Sequence, residues 1–185
     1  MRKLLVLLAV IVLAGCISCN YPPIPTETQD TPRAKLIAYL NATEPLGIAM
    51  KKIDVELADE YAEALETGDV TQLNQKIQEL KAICKEIDYI HATAEAIVVH
   101  TDLSKSCSDM AESMAYISNW IQTGDSSMQR AALEKSDEAL MLNRRAWTGW
   151  FQIIVDYGVT CDEVNYCEGD KANWGCLILL SVPVN

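Results

Sequence analysis

The domain that follows residue 31 lacks the short motifs by which the commonest enzyme classes are identified. It contains no glycine-rich phosphate loop, no HExxH zinc motif, no CxxCH haem attachment, no GxSxG nucleophile elbow and no CxxC pair. Each of those chemistries depends on a local arrangement of residues that its motif provides. The absence of all of them favours a non-enzymatic protein and predicts no cofactor.

Histidine is also scarce, since His91 and His100 are the only two. The periodicity places His91 on the core face of the second helix, where Cys84, Asp88 and His91 follow at i, i+4 and i+7. Di-iron bundles use several glutamates and two Glu-x-x-His pairs, whereas a single Asp-x-x-His pair occurs here. We therefore expect His91 to be a hydrogen-bonded core residue, and a small metal- or haem-binding bundle around it is the alternative. His100 is predicted at a helix end, where a cation suits the helix dipole.

Positive charge is in short supply, because 15 Lys plus Arg oppose 26 Asp plus Glu for a net charge of −11. Residues 1–16 contain two of the positive side chains and none of the negative ones, which leaves 13 against 26, or −13, for the remainder. Such a surface repels phosphate backbones. The composition therefore excludes nucleic acid as an expected partner.

The first residues contain an apolar run too short to cross a bilayer. It extends from Leu4 to Ala14, after Arg2 and Lys3, whereas a transmembrane helix needs about 20 apolar residues. Basic residues followed by a short apolar run and small residues are typical of a secretory signal.

The segment Leu13-Ala14-Gly15-Cys16 resembles the lipobox of bacterial and archaeal lipoproteins. The resemblance covers only the first 16 residues. It implies cleavage before Cys16 and lipid on its thiol, and therefore an extracytoplasmic protein anchored by lipid to a prokaryotic membrane. Ordinary secretion is the alternative.

The remaining chain is long enough for one domain with one core. We predict a signal peptide at 1–15, the lipidated cysteine and a proline-rich stalk at 16–31, a helical bundle at 32–157, and a cysteine-containing tail at 158–185. The tail is irregular in pattern, and we expect it to pack on the bundle.

Apolar residues recur at helical spacing in four stretches beyond the stalk. The predicted helices cover 32–66 with a kink or break at Pro45, then 70–100, 104–122 and 126–157. These stretches predict an all-α fold, an up-and-down four-helix bundle built of two helical hairpins. The second stripe comprises Leu73, Ile77, Leu80, Cys84, Ile87, His91, Ala94 and Val98; the fourth comprises Leu133, Ser136, Leu140, Asn143, Trp147, Trp150, Ile154 and Tyr157.

The same tripeptide, Thr-Gly-Asp, occurs at 67–69 and 123–125. Glycine just beyond a helix takes the left-handed conformation easily, and the aspartate can cap the next helix. Gln72 is placed to complete a capping box with Asp69. Each tripeptide therefore predicts the tight corner of an antiparallel hairpin.

Six cysteines follow Cys16, and an even number in an exported domain favours disulfides over a zinc or redox site. Cys84 and Cys107 lie at nearly equal distances from the two corners, which brings them level on neighbouring helices. We predict a Cys84–Cys107 bridge, with Cys161, Cys167 and Cys176 supplying a second one. If the connection between those helices is a tight turn, Cys107 would pair with the tail instead.

The second half of the domain is rich in tryptophan and has Asn143 at a core position. Asn143 is interpreted as a residue that fixes helix register, and the tryptophans Trp120, Trp147, Trp150 and Trp174 as core, with an aromatic ligand pocket as the alternative. The leading hypothesis is a non-enzymatic binding or structural module at the cell envelope. Its expected partners are the membrane through the lipid anchor and an unidentified envelope protein or small ligand.

Replacing Cys16 tests the anchor directly. We predict that the full-length protein partitions into a detergent phase and that Cys16→Ser moves it to the aqueous phase, because the apolar run is too short to hold the chain in a bilayer and stable anchoring requires lipid chains. Detergent phase separation with mass spectrometry of Cys16 measures both. An aqueous wild type with an unmodified Cys16 would contradict the prediction.

Overall fold

The computed structural model describes residues 31–160 and 163–164. In this part of the chain four α-helices follow one another: α1 Pro32–Thr67, α2 Thr71–Tyr89, α3 Ile97–Thr123 and α4 Ser126–Asp156. Each helix packs against the next, which confirms the predicted all-α bundle of two hairpins. None of the described helices has a stretch long and apolar enough to cross a membrane.

Helix α1 begins with a standard cap and does not break at its internal proline. Thr31 Oγ1 accepts a hydrogen bond of 3.1 Å from Ala34 N, and Pro32 occupies the first turn, where its missing N–H has no partner to lose. The helix then runs through Pro45 to Thr67. Of the predicted kink or break, the break is therefore wrong, because buried residues on both sides of Pro45, including Leu40 and Ile53, hold α1 against the other helices.

The two Thr-Gly-Asp corners have the same hydrogen-bonded geometry. Gly68 and Gly124 follow α1 and α3 with left-handed φ angles of 75° and 70°. The carboxylates of Asp69 and Asp125 each accept a hydrogen bond from the backbone N–H two residues later, at 2.9 and 2.8 Å. These contacts confirm both predicted corners.

The predicted capping box with Gln72 is wrong. The backbone N–H of Asp69, which Gln72 was expected to bind, donates instead to Thr67 Oγ1 at 3.1 Å. Asp125 N donates in the same way to Thr123 Oγ1 at 3.2 Å. The threonine hydroxyl oxygen therefore accepts the hydrogen bond from the aspartate N–H in each corner. This contact explains why both corners contain a threonine.

Helix α2 ends earlier than its heptad pattern predicted. Leu73, Ile77, Leu80, Cys84 and Ile87 are all buried. Beyond them the helix stops at Tyr89, a connection covers residues 90–96, and α3 begins at Ile97. The prediction of one helix to residue 100 was wrong. Ile90, Ala92 and Ala96 pack in the core against the first turns of α1, and the chain leaves the helix to place them there. His91, Ala94 and Val98 are exposed.

A disulfide joins α2 to α3 across this connection. Cys84 and Cys107 form the bridge with their Cα atoms 5.5 Å apart, the pairing that the level corners predict. The enclosed segment has a sequence separation of 23 residues, for which loop-closure entropy suggests a contribution of about 3 kcal/mol. Cys19, Cys161, Cys167 and Cys176 lie outside the described residues, as do the signal peptide, residues 16–30 of the stalk and the tail beyond Val164.

Helices α3 and α4 approach each other closely through small residues. Ser106 Oγ and Ser113 Oγ donate hydrogen bonds of 2.8 Å to the backbone carbonyls of Ala139 and Ala132 on the facing helix. A hydroxyl reaches a carbonyl of a neighbouring helix only where the two backbones are near one another. The buried positions of α4 are accordingly mostly small: Ala132, Ala139, Leu142, Ala146 and Trp150.

The predicted apolar stripe of α4 is therefore partly wrong. Leu133 is 63% and Leu140 is 45% exposed, whereas their small neighbours Ala132 and Ala139 are buried. The pattern was assigned to the large side chains, but the close contact with α3 admits only the small ones. Trp147 and Asn143 each lie one position after a buried residue, Ala146 and Leu142 respectively, on the side of α4 that faces α1.

Two buried carboxylates also join α3 to α4. Asp109 accepts from Lys105 Nζ at 2.9 Å and from Lys135 Nζ at 3.0 Å. Asp102 is paired with Arg145, and this hydrogen bond lowers the pKa of the Asp102 carboxyl. Both of these buried carboxylates therefore have a cationic partner, as burial in a helix interface requires.

The chain turns back onto α1 after α4. Arg33 donates to the carbonyl oxygens of Tyr157 at 3.1 Å and Gly158 at 3.2 Å, and its guanidinium pairs with Glu163 at 2.6 Å. Val164, the last described residue, is buried in the adjacent core. The start of α1 and the end of α4 are thus held together at one pole of the bundle.

Two helical glycines are expected to respond oppositely to alanine. A Cβ on Gly47 would meet no atom within 4 Å, whereas one on Gly149 would lie 2.7 Å from Val99 Cγ2. Gly47→Ala should raise the free energy of unfolding by up to about 1 kcal/mol through helix propensity. Gly149→Ala should lower it by about 1 kcal/mol, because overpacking costs roughly 1–3 kcal/mol. Urea denaturation measures both, and stabilisation by Gly149→Ala would contradict the close α3–α4 contact.

Candidate functional site

A partly open cavity of about 140 Å³ lies between α1 and α4. We call it the apolar cleft. All four helices contribute to its lining, and the largest contribution comes from the middle of α1 and the second half of α4. The side chains that define its shape are Leu46, Gly47, Met50, Ile87, Leu103, Asn143, Trp147 and Trp150, and Glu44, Lys51 and Asp54 supply charged groups.

The sequence of α1 and α4 explains why a cavity forms there. Gly47 has no side chain to fill the space, and a Cβ at this position would be in open space. Across the cleft, Ala146 is small because α4 packs closely on α3. Helices α1 and α4 thus face each other through two small residues, Gly47 and Ala146. Trp147 and Trp150 lie on the α4 side.

Asn143 is the neutral polar group on the α4 wall of the cleft. Its side chain is half-buried and makes no hydrogen bond to any of the described residues. The interpretation of Asn143 as a register-fixing residue inside a helix seam is therefore wrong, because it faces the cleft. An amide in an apolar wall offers both a donor and an acceptor to a bound molecule.

A series of aromatic rings connects the cleft to a buried histidine. The ring centroids of Trp147 and Trp150 are 6.5 Å apart, those of Trp150 and Tyr39 are 5.5 Å apart, and those of Tyr39 and His100 are 5.8 Å apart. Tyr39 Oη lies 2.9 Å from His100 Nδ1. The back wall of the cleft is thereby fixed by packing and by one buried hydrogen bond.

The two histidines have the opposite environments from those predicted. His91 lies in the connection after α2 and is exposed, whereas His100 is buried in α3. Burial lowers the pKa of His100, and the nearby Asp88 carboxylate opposes that shift. The expectation of His91 in the core was wrong because α2 ends two residues before it.

The alternative metal site does not assemble from the predicted ligands. Cys84 Sγ is bonded to Cys107, so it is not available as a thiolate. Asp88 accepts a hydrogen bond from Ser104 on α3, and His91 is outside the helix. Among residues 31–160 and 163–164, no group of three or more His, Cys, Asp or Glu side chains is arranged to hold a metal ion.

The sequence therefore singled out Trp147, Trp150 and Asn143, but it did not predict that all three line the same cleft. It also missed Gly47, Tyr39 and His100. The signal for Gly47 was present, because a glycine two residues after Pro45 in a helical stretch marks a position without a packed side chain. Tyr39 and His100 are 61 residues apart, and periodicity alone does not pair them.

Comparisons with known proteins give no relative for this chain. No protein-family model matches it, and neither a curated protein nor a solved structure matches it.

The buried His100 predicts a pH dependence of stability. Its folded pKa is lowered below the unfolded value of about 6.5, so the unfolded state binds the proton more readily. The stabilisation is complete above pH 6.5 and is lost as the pH falls through the folded pKa. We expect the melting temperature to fall between pH 7.5 and 5.5, and His100→Gln to flatten that slope.

His91→Gln is the matched control, because His91 is exposed. It should leave the slope between pH 7.5 and 5.5 unchanged. Carboxylate titration occurs mostly below this window and is common to all three proteins. An unchanged slope in His100→Gln would show that another group is responsible.

Proposed function

We propose that this protein is a lipid-anchored, non-enzymatic binding module of the prokaryotic cell envelope, and that the apolar cleft receives a small apolar or aromatic molecule. The observation that carries the proposal is the combination of Trp147, Trp150 and Asn143 in the wall of one cleft. Ligand sites are typically apolar with a few placed polar groups. The resemblance of residues 13–16 to a lipobox supports the location.

The size of the cleft limits the ligand. A cavity of about 150 Å³ in another protein holds one benzene molecule, and the cleft is about 140 Å³. It therefore suits one ring, or a short aliphatic portion of a larger molecule that extends outside. Burying about 150–200 Å² of apolar surface would contribute roughly 4–5 kcal/mol, which corresponds to a Kd of about 0.2–1 mM for a single ring.

Toluene and p-cresol are suitable probes because they differ by one hydroxyl group. We predict that both shift the indole N–H resonances of Trp147 and Trp150 in NMR spectra of the Cys16→Ser chain, and that Trp120 does not respond. p-Cresol should bind about 2–10-fold more tightly because Asn143 can hydrogen-bond its hydroxyl. Asn143→Leu should remove that difference.

A leucine in the cleft provides the blocking variant. Gly47→Leu should abolish both titrations, because its side chain would enter the open space beside Gly47. Ala58→Leu adds the same type of side chain to an exposed position of α1 and should bind as the wild type does. Binding that survives Gly47→Leu, or equal shifts at Trp120, would contradict the cleft as the ligand site, whereas no binding to the wild type would favour a purely structural role.

A further inference from the structure

Helix α4 exposes more large apolar side chains than any other described helix. They are Leu133, Leu140, Met141, Phe151 and Val155. The side of α4 that meets α3 is occupied by small residues, because serines of α3 reach its backbone carbonyls, so the large residues remain on the solvent side. Exposed apolar surface of this extent typically marks a site of interaction with another molecule.

Three of these side chains belong to a heptad pattern. Leu133, Leu140 and Trp147 follow one another at intervals of seven residues, and the residues four positions after each of them are Asp137, Arg144 and Phe151. We call these six residues the outer stripe. Five of them are exposed, and Trp147 is half-buried beside the cleft. This spacing is that of a coiled-coil seam, which packs against a second helix.

The outer stripe contains one charge of each sign, and neither has a partner within the described part of the chain. Asp137 and Arg144 make no side-chain hydrogen bond or ion pair with the described residues. The adjacent Arg145 is paired with Asp102. An unpaired arginine is unexpected in a chain where 15 Lys plus Arg oppose 26 Asp plus Glu. The two charges therefore indicate a partner that supplies an acidic and a basic group at matching positions.

A second copy of α4 supplies both groups when it runs antiparallel to the first. In a parallel pair, Asp137 would face Asp137 and Arg144 would face Arg144, so like charges would repel at both levels. In an antiparallel pair, each arginine lies near the aspartate of the other copy, and two equivalent ion pairs form. Charges at seam positions set orientation and register in coiled coils in this way.

One register of the antiparallel pair also matches the apolar positions. A two-fold axis beside residue 142 makes Leu133 level with Phe151 of the second copy, and Leu140 level with Arg144. The aspartate of the second copy then lies three residues further along, about 4.5 Å at 1.5 Å per residue, which the long arginine side chain can reach. Because residue 142 is close to the middle of α4, the two helices overlap along nearly their whole length.

We propose that the outer stripe binds a second copy of this chain, with the two α4 helices antiparallel. An overlap of about 29 residues is roughly 43 Å long, and a helix face about 10 Å wide then buries on the order of 430 Å² in each copy. The total is below the roughly 1,200–2,000 Å² of stable interfaces, so we expect a weak dimer with a Kd of about 10–100 μM. The pairing requires no ligand and therefore does not rest on the proposed function.

Charge reversal tests the pairing and its orientation. The full chain with Cys16→Ser is alkylated with iodoacetamide to block free thiols, and sedimentation equilibrium measures self-association at 5–500 μM (about the range that the expected Kd requires). Asp137→Arg and Arg144→Asp should each weaken association at least about 10-fold, because each places like charges together twice. An equimolar mixture of the two variants should associate as the wild type does, because every arginine then faces an aspartate.

The matched controls make the same charge changes on α2. Glu86→Arg and Lys85→Asp lie at exposed positions of that helix and should leave the Kd of the dimer unchanged. A wild type that is monomeric at the highest concentration would overturn the pairing and leave the outer stripe to a different molecule. Association that neither α4 variant weakens, or that the mixture does not restore, would overturn the antiparallel arrangement.

Leu140→Ser separates the pairing from a folding defect and from the ligand site. Leu140 is exposed and does not line the cleft, so this variant should lose association at least about 10-fold while its melting temperature and the p-cresol shift of Trp147 are retained. Tyr89→Ser, at an exposed position at the end of α2, should associate as the wild type does. Dimerisation without p-cresol binding would support the pairing and contradict only the ligand site, whereas p-cresol binding by a strictly monomeric wild type would overturn only the pairing.

Discussion

The close contact between α3 and α4 determines the arrangement of the rest of the domain. Ser106 and Ser113 reach backbone carbonyls of α4, so the face of α4 that meets α3 must consist of small residues. Its large residues must then point elsewhere. Asn143 and Trp147 turn toward α1, where they meet Gly47 and Met50 at the apolar cleft. A cavity between α1 and α4 is the result of tight packing between α3 and α4.

The opposite hairpin is held in a different way. Helices α1 and α2 pack through large aliphatic residues such as Ile53, Leu57 and Ile77, and the Cys84–Cys107 bridge attaches this pair to α3. The core cluster around Ile53 and Ile77 contains residues of α1, α2 and α3, whereas the cluster around Leu36 and Trp150 contains residues of α1, α3 and α4. The cleft is lined by Met50 and Ile87 from the first cluster and by Trp150 from the second, so it lies where the two clusters meet.

Periodicity was sufficient for the fold class, because a helix that buries large residues at every third or fourth position leaves a clear pattern. The corners at Gly68 and Gly124 were predictable for the same reason, since glycine and aspartate have local roles there. The end of α2 was not predictable, because no glycine or proline marks it and the burial of Ile90 and Ala96 under α1 decides it. The core of α4 was misassigned because alanine carries little signal in a pattern of large apolar residues. The Tyr39–His100 pair depends on tertiary packing and has no local signature.

The Arg33–Glu163 ion pair has a mechanical consequence. It brings the entry of the bundle at Pro32 and the turn after α4 to one pole, and the two Thr-Gly-Asp corners then lie at the opposite pole. If the chain is tethered at Cys16, as we propose, the tether pulls on the first pole, and the corners point away from the membrane. Arg33 also binds the carbonyls that follow α4. A force that pulls on the tether would therefore act on α1 and α4 together. It would act along the helix axes, so the two helices would be loaded in shear. The domain would resist such a load better than one whose first helix could be peeled away alone.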